Sequence, residues 1–200
     1  RLFVPITAIP PLVRGAFLSA EDKSFYSHPG IDLQALTRAV VHNAEIAITG
    51  QDRRPVGGST ITQQVAKNFL LTNEVSYERK IKEAVLAFRI ERALTKDQIL
   101  ELYLNEIYLG DGAYGVAAAA MTYFGKALKD VSPEEAAFLA ALPKAPSNYN
   151  PVRNHAAALS RRNWVLERMA EDGRLTRAEA ELAAAKPLEV AGRPETDRYA

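Results

Sequence analysis

Residues 95–110 read TKDQILELYLNEIYLG, and this stretch predicts the fold class. Thr95 is followed three residues later by Gln98, the signature of a capping box at the start of a helix. The residues behind this start are strongly apolar, as in a helix that packs into a core: Ile99, Leu100, Leu102, Tyr103 and Leu104. Similar start signals recur at Ser132-Pro133 and at Thr176, so we expect a mainly α protein.

The same reading extends outward along the chain. Apolar residues at helical spacing predict helices over residues 77–94, after Asp32 and after Asn154. Extended segments are suggested only at residues 50–58 and around Val190. Glycines and prolines predict a tight loop at residues 110–115 and an ordered loop at residues 143–151. The pattern therefore predicts about seven to nine helices and few strands.

Length, charge and cysteine content exclude several classes of protein. The chain has 200 residues and a mass of 22.0 kDa, the size of one domain or of two small lobes around a cleft. Lys and Arg number 25 and Asp and Glu 24, so the formal net charge of +1 does not favour a nucleic-acid-binding domain. Because cysteine is absent, disulfide scaffolds, Cys-containing zinc sites and thiol catalysis are excluded.

The sequence contains no signal peptide pattern and no apolar run near the roughly 18 residues that span a bilayer. It begins with Arg1 rather than Met. We expect the chain to be a domain of a longer protein.

A first candidate for chemistry is EDKSFYSHPG at residues 21–30. Glu21 and Asp22 follow an apolar helix, and negative side chains at a helix C-terminus are disfavoured by the helix dipole. Such local conflicts are enriched at functional sites, and a partly buried Glu21 would suit a general base. The alternative is a solvated helix end with Asp22 and Lys23 in water.

A second candidate is GGSTITQQVAKN at residues 57–68. Two glycines lead through a Ser/Thr cap into a helix, a layout in which free amides and the helix dipole face an anion. Polar side chains follow on neighbouring faces of the helix: Gln63, Gln64, Lys67 and Asn68. It is not a P-loop, and the alternative is an ordinary capped helix with a polar outer face.

A third candidate is ERKIKE at residues 78–83. Arg79, Lys80 and Glu83 share one helical face, which would hold a carboxylate beside two cations that bind an anionic group. The alternative is a solvated surface ion pair. The three histidines show no metal-ligand spacing, so no protein metal site is predicted.

Together these stretches form five blocks in a fixed order. They are EDxxFxxHxG (residues 21–30), GGSTITQQVAKN (57–68), RKxxE (79–83), KDQILELYLNEIYLG (96–110) and RRNWVLERM (161–169). In this order they resemble the peptidoglycan glycosyltransferase domain, family 51, of class A penicillin-binding proteins and monofunctional glycosyltransferases. The resemblance covers most of the chain, although residues 71–76 lack a basic residue that some relatives carry.

The resemblance implies a lysozyme-like, mainly α fold with a larger lobe and a smaller membrane-facing lobe, formed by residues 1–200 as one domain. It implies polymerisation of lipid II into β-1,4-linked glycan strands, with release of undecaprenyl diphosphate, at the extracytoplasmic face of the cell membrane. It also implies that a membrane anchor and any transpeptidase domain lie outside these 200 residues. The implied partners are lipid II, the growing glycan strand, the membrane and other cell-wall synthesis proteins, with no nucleic acid.

The resemblance also implies roles for individual residues. Glu21 would be the general base and Glu83 a second carboxylate that orients or stabilises the reacting groups. The remaining implied residues lie near the donor diphosphate (Lys67, Arg79, Lys80), in the donor site (Ser59, Thr60, Gln63, Gln64, Asn68) or around Glu21 (Asp22, Phe25, His28). A divalent cation such as Mg²⁺ would share the diphosphate charge, although the sequence shows no dedicated metal cage.

Residues 43–58 lie between the first two blocks and mix apolar Ile46, Ala47 and Ile48 with glycines and two arginines. They lack a clear secondary-structure period, so we expect a flexible part of the membrane-facing lobe that dips into lipid. The alternative is a surface loop without a role.

Two other function classes compete with polymerisation. A lysozyme-like enzyme that cleaves glycan would also be helical with a catalytic Glu, but it gives no reason for cations beside the site. A noncatalytic lipid- or glycan-binding module would not need both Glu21 and Glu83.

Overall fold

The computed structural model describes residues 3–49, 58–70 and 77–191. Within these ranges it contains nine α-helices: α1 (Pro11–Glu21), α2 (Leu33–Thr49), α3 (Ile61–Leu70), α4 (Tyr77–Ala93), α5 (Lys96–Glu106), α6 (Val116–Phe124), α7 (Pro133–Ala141), α8 (His155–Glu171) and α9 (Arg177–Ala185). Short 3₁₀ helices cover Ile6–Ala8 and Leu128–Asp130. The described ranges contain no strand beyond an isolated antiparallel bridge, Tyr108–Tyr114, so the prediction of a mainly α fold is confirmed.

The predicted helix starts are present. Thr95 N donates to Gln98 Oε1 over 2.8 Å, and Thr176 N donates to Glu179 Oε2 over 2.7 Å, which closes both capping boxes. Ser132 N donates to Glu135 Oε2 over 2.9 Å. These bonds satisfy backbone amides that a helix start would otherwise leave without partners.

Residues 43–49 differ from the prediction of an irregular segment over 43–58. Residues 43–49 continue α2, and Thr49 Oγ1 bonds back to the Glu45 carbonyl over 2.7 Å. The glycines and the two arginines suggested an irregular segment, but all of them follow Thr49 in the sequence and so do not affect the end of α2. Residues 50–57 lie outside the described residues, and so does the stretch 71–76; the flexibility and membrane contact of residues 43–58 stay predictions.

Contacts divide the chain into two compact units. Unit 1 comprises Arg1–Ala20 and Leu104–Ala200, and unit 2 comprises Glu21–Tyr103. Within unit 1, α7 packs against α8, and α8 packs against α9. Every residue of α7 from Ala136 onward is buried, and Phe138 packs edge-to-face on Tyr123 at 5.3 Å between ring centroids. Unit 1 therefore contains a conventional apolar core.

Two buried polar side chains of unit 1 serve its backbone. The guanidinium of Arg162 donates to the carbonyls of Ala184 (2.9 Å) and Lys186 (2.8 Å) at the end of α9. Asn105 bonds the backbone of Val4 in both directions, at 2.7 and 2.9 Å. Both side chains satisfy main-chain groups, so their burial has a structural explanation.

Unit 2 contains the whole of α2, α3 and α4, and α3 packs against α4. None of the helices in the described ranges combines the length and apolar character needed to cross a membrane. Unit 2 also contains the thirteen residues that the sequence marks as site candidates, at positions 21–83.

Candidate active site

Glu21 is the last residue of α1, as the sequence predicts, and it is half-buried. Its Oε2 accepts a hydrogen bond of 2.8 Å from Gln64 Nε2 on α3. The first and second sequence blocks therefore meet at this carboxylate. The Gln64 amide therefore orients the Glu21 carboxylate.

Asp22 is buried, in contrast to the alternative that placed it in water. Its carboxylate accepts hydrogen bonds from Ile61 N (2.9 Å) and from His28 Nε2 (2.9 and 3.0 Å). Gly30 N donates to His28 Nδ1 over 3.1 Å, so the ring accepts at one nitrogen and donates at the other. Asp22 thus connects the segment after Glu21 to the start of α3, and Phe25 is fully buried beside His28.

The start of α3 differs from the predicted anion site. Ile61 N is bonded to Asp22, and Gln63 N to Thr60 Oγ1 over 3.1 Å. Thr60 N in turn donates to Gln63 Oε1 over 3.0 Å, which completes a capping box. The expectation that these amides are free for a ligand is therefore wrong, because protein oxygens already accept their hydrogen bonds.

Thr60 and Gln63 are consequently buried parts of the support for α3. Thr60 Oγ1 also donates to the Gly30 carbonyl over 2.6 Å, which joins α3 to the segment after His28. Direct contact of Thr60 and Gln63 with a donor substrate stays a prediction.

Glu83 lies on α4 and is only 2% exposed. Lys80 Nζ lies 2.7 Å from its Oε2, and Arg79 Nε lies 3.5 Å from its Oε1. Lys80 also donates to Ser59 Oγ over 2.8 Å, so the second and third blocks meet here. The alternative of a solvated surface pair is wrong for Glu83, although it describes the neighbouring pair Glu78–Lys82, with side chains 76% and 59% exposed.

Lys67 and Asn68 are exposed on the second half of α3. They follow Gln64 by three and four residues, which places all three side chains along one side of the helix. A polar row therefore runs along α3 from the residue that bonds Glu21.

Sequence reasoning missed Tyr103 of α5, which is buried in unit 2. Burial raises the pKa of its phenol well above the ordinary value, and the negative charges of Glu21 and Asp22 raise it further. Tyr103 is therefore a protonated hydroxyl beside the first block. The only sequence feature that pointed to Tyr103 was its position on the apolar face of the helix predicted within residues 95–110. That position equally fits an ordinary core residue.

Among the described residues, no three His, Asp or Glu side chains are grouped as a metal ion requires. Glu83 faces an ammonium group and Glu21 an amide. These residues do not fit a protein cage for a divalent cation. Mg²⁺ usually keeps several waters and binds substrate phosphates, so the cation stays a prediction about the bound diphosphate.

Comparison with known proteins gives the family. A family model described as Transglycosylase matches residues 1–170. Penicillin-binding protein 1A of Rickettsia conorii is 55% identical over 188 residues, which cover 94% of this chain and 24% of that protein. A putative transglycosylase of Cupriavidus necator is 50% identical over 188 residues, covering 94% of this chain and 79% of that protein.

A solved structure agrees with these relatives. The crystal structure of penicillin-binding protein 1A from Haemophilus influenzae matches with a TM-score of 0.57 and 28% identity, over 96% of this chain and 18% of that one. The chain belongs to the transglycosylase family, which confirms the resemblance drawn from the five blocks. It spans about a quarter of the length of the penicillin-binding protein 1A relatives that it matches.

Proposed function

We propose that this chain is a peptidoglycan glycosyltransferase domain that polymerises lipid II into β-1,4-linked glycan strands and releases undecaprenyl diphosphate. The observation that carries the proposal is a pair of carboxylates in unit 2 with opposite surroundings. Glu21 is half-buried and bonded to a neutral amide, whereas Glu83 is buried beside two cations. Two carboxylates in different environments suit two different roles in one reaction.

Glu21 has the surroundings of a general base. It would take the proton from the 4-hydroxyl of the acceptor sugar, which attacks the anomeric carbon of the growing chain. Attack on the face opposite the α-linked diphosphate inverts that carbon and gives the β-1,4 linkage. The Gln64 hydrogen bond fixes the Glu21 carboxylate, because a base must lie within hydrogen-bond reach of the proton that it removes.

The diphosphate leaving group gives a reason for the lysine and arginine side chains in unit 2. A diphosphate departs without a proton when positive charges stabilise it, so Lys and Arg side chains replace the protonated acid of a glycoside hydrolase. Arg79 and Lys80 carry these charges next to Glu83, and Lys67 adds an exposed ammonium group on α3. Glu83 would hold Arg79 and Lys80 in place between successive donors.

The other residues predicted to contact the donor fall into two groups, those with solvent-exposed side chains and those with buried side chains. Ser59, Gln64 and Asn68 have side chains that reach solvent and would bond the donor sugars and phosphates. The buried members act by holding those side chains in place: Asp22, Phe25, His28, Thr60 and Gln63.

Exposed apolar side chains of unit 2 also support a location at the membrane. Large apolar side chains are exposed on α2 (Leu33, Leu36, Val40, Val41, Ile48) and on α4 (Ile81, Val85, Phe88). On each helix three of these side chains recur at helical spacing and so share one face (Leu33, Leu36, Val40; Ile81, Val85, Phe88). An exposed apolar face of this kind marks contact with lipid or with another protein. We propose that they contact the outer face of the cytoplasmic membrane, where lipid II and other cell-wall synthesis proteins would be met.

The direct test is incubation of the protein with lipid II and Mg²⁺, followed by gel separation of the products. A ladder of lengthening glycan supports the proposal, and unchanged lipid II contradicts it. A second incubation with finished glycan tests the rival activity: fragments without polymer from lipid II would identify a glycan-cleaving enzyme. A third incubation with chelator tests the cation, since an unchanged rate would show that none is needed.

A further inference from the structure

Lys96, the first residue of α5, contacts the segment that follows Glu21. Its ammonium group donates to the carbonyl of His28 over 2.7 Å and lies 4.5 Å from the centroid of the Phe25 ring. The same nitrogen donates to Glu91 Oε1 over 2.7 Å. One cation therefore binds a carbonyl, an aromatic face and a carboxylate, which is more than a surface ion pair provides.

Glu91 extends these contacts to α3. Its Oε1 accepts a second hydrogen bond, of 2.6 Å, from Thr62 Oγ1. Thr62 follows Ile61, whose amide is bonded to Asp22, and Asp22 is bonded to His28. The contacts therefore close into a ring, which runs from Asp22 through His28, Lys96, Glu91, Thr62 and Ile61 back to Asp22.

Packing leaves this ring little freedom. The side chains of Lys96 and Glu91 are only 20% and 11% exposed. Gly30 lies so close to α4 that an added Cβ would stand 3.0 Å from Glu91 Cγ and 3.1 Å from the Ala87 carbonyl oxygen. Its φ of 99° also favours glycine, so the segment can approach α4 only with glycine at this position.

We propose that Lys96 and Glu91 are positioning residues for Glu21. The ring fixes the residues after Glu21 against the first turn of α3, and Gln64 on that helix bonds the Glu21 carboxylate. Breaking the ring would shift Glu21 relative to Gln64 while the cations around Glu83 remain in place. The proposal rests on the proposed function for its catalytic consequence, although the ring itself does not depend on the reaction.

A positioning role predicts a specific kinetic change. Displacement of a reacting group by about 1 Å can cost a hundredfold in rate, so Lys96→Met should lower kcat about 10- to 100-fold. KM for lipid II should change little, because Lys96 does not lie among the predicted donor contacts. Lys96→Arg retains a cation and its donors and should recover much of the loss. Lys126→Met, which removes a Lys–Glu pair at 2.8 Å in unit 1, is the matched control.

The experiment measures kcat, KM, the midpoint of thermal unfolding and amide hydrogen exchange for the four proteins. We expect faster exchange at the Ile61 and Gly30 amides in Lys96→Met, with exchange in α7 unchanged. Unchanged exchange at both amides overturns the proposal, and so does a kcat equal to that of Lys126→Met in an active parent. If Lys96→Met does not fold, Glu91→Ala, which removes the acceptor shared by Lys96 and Thr62, is measured under the same criteria.

Failure of the proposed function gives a different result. A parent protein that does not polymerise lipid II contradicts that function, yet the exchange at Ile61 and Gly30 still decides whether the ring fixes this segment.

Discussion

The two units bury polar groups in different ways. In unit 1, buried Arg162 and Asn105 bond main-chain groups and so complete the fold. In unit 2, buried Asp22, His28 and Glu83 bond other charged or polar side chains as well as backbone. Because burial of charge is costly unless it is paired, a concentration of paired charges in one unit indicates a functional site.

Two ion pairs on α4 also differ in burial. Glu78–Lys82 and Glu83–Lys80 join oppositely charged side chains at 2.6 and 2.7 Å. The first pair is exposed and contributes little to stability, whereas the Glu83 side chain is only 3% exposed. Spacing alone cannot distinguish them, since only the tertiary fold determines which carboxylate is desolvated.

The largest expected effect on stability lies in unit 1. Phe138→Ala removes a fully buried ring and should lower the free energy of unfolding by about 3–5 kcal/mol. Denaturant unfolding measures the loss. Activity per folded molecule should be retained; a stability loss below about 1 kcal/mol would contradict the account of the apolar core.

Arg79→Ala should affect both folding and function. It removes a cation 3.5 Å from buried Glu83, so it should destabilise unit 2 and weaken the binding of a diphosphate-bearing donor analogue. Thermal unfolding and titration with the analogue measure the two effects. An unfolding midpoint and a donor affinity equal to those of the parent would mean that Arg79 neither stabilises buried Glu83 nor binds the donor.

Lys67→Ala should affect binding alone. Lys67 is exposed on α3, so its removal should leave the unfolding midpoint unchanged and weaken donor binding about tenfold, or 1.4 kcal/mol. Lys82→Ala, an exposed lysine paired with Glu78, is the control and should bind like the parent. Equal affinity of the two variants would mean that Lys67 is only a surface charge.

The smallest effect concerns Asp32, before α2. Burial raises the pKa of this carboxyl, but hydrogen bonds from Ser24 and from Ala35 N lower it, and the net shift is downward from 3.8. The ionised form therefore adds stability that is present above this value and is lost as the pH falls through the folded-state pKa. Asp32→Asn should lower stability by less than about 1 kcal/mol at neutral pH. In denaturant unfolding the difference should shrink as the pH falls below 3.8; a constant difference would contradict the assignment.

Local patterns predicted the helices well, because a capping box such as Thr95–Gln98 involves residues three apart. The same locality misled at Thr60, where a Ser/Thr cap before a helix fits both an anion site and a capping box. The outcome depended on Gln63, which bonds Thr60, and on Asp22, which bonds the Ile61 amide across 39 residues. The contact of Lys96 with His28, 68 residues apart, had no local signal at all.

The candidate site was predicted as a set of residues but not as an arrangement. The five blocks identified Glu21 and Glu83, and the structure adds that Gln64 holds the first and that Lys80 and Arg79 surround the second. Which side chains bind substrate and which support them depends on burial. Burial is a property of the fold, which explains why Thr60 and Gln63 could not be separated from Gln64 by sequence.

The central claim is that Glu21 is the general base, and polymerisation of lipid II by Glu21→Gln tests it most directly. Glutamine retains the size and hydrogen bonding of Glu21 but cannot accept the proton, so we predict a rate loss of about 10²-fold or more. Donor binding and the unfolding midpoint should match those of the parent and of Glu181→Gln, an exposed control on α9. A folded Glu21→Gln protein that polymerises lipid II within a few fold of the parent would contradict the account.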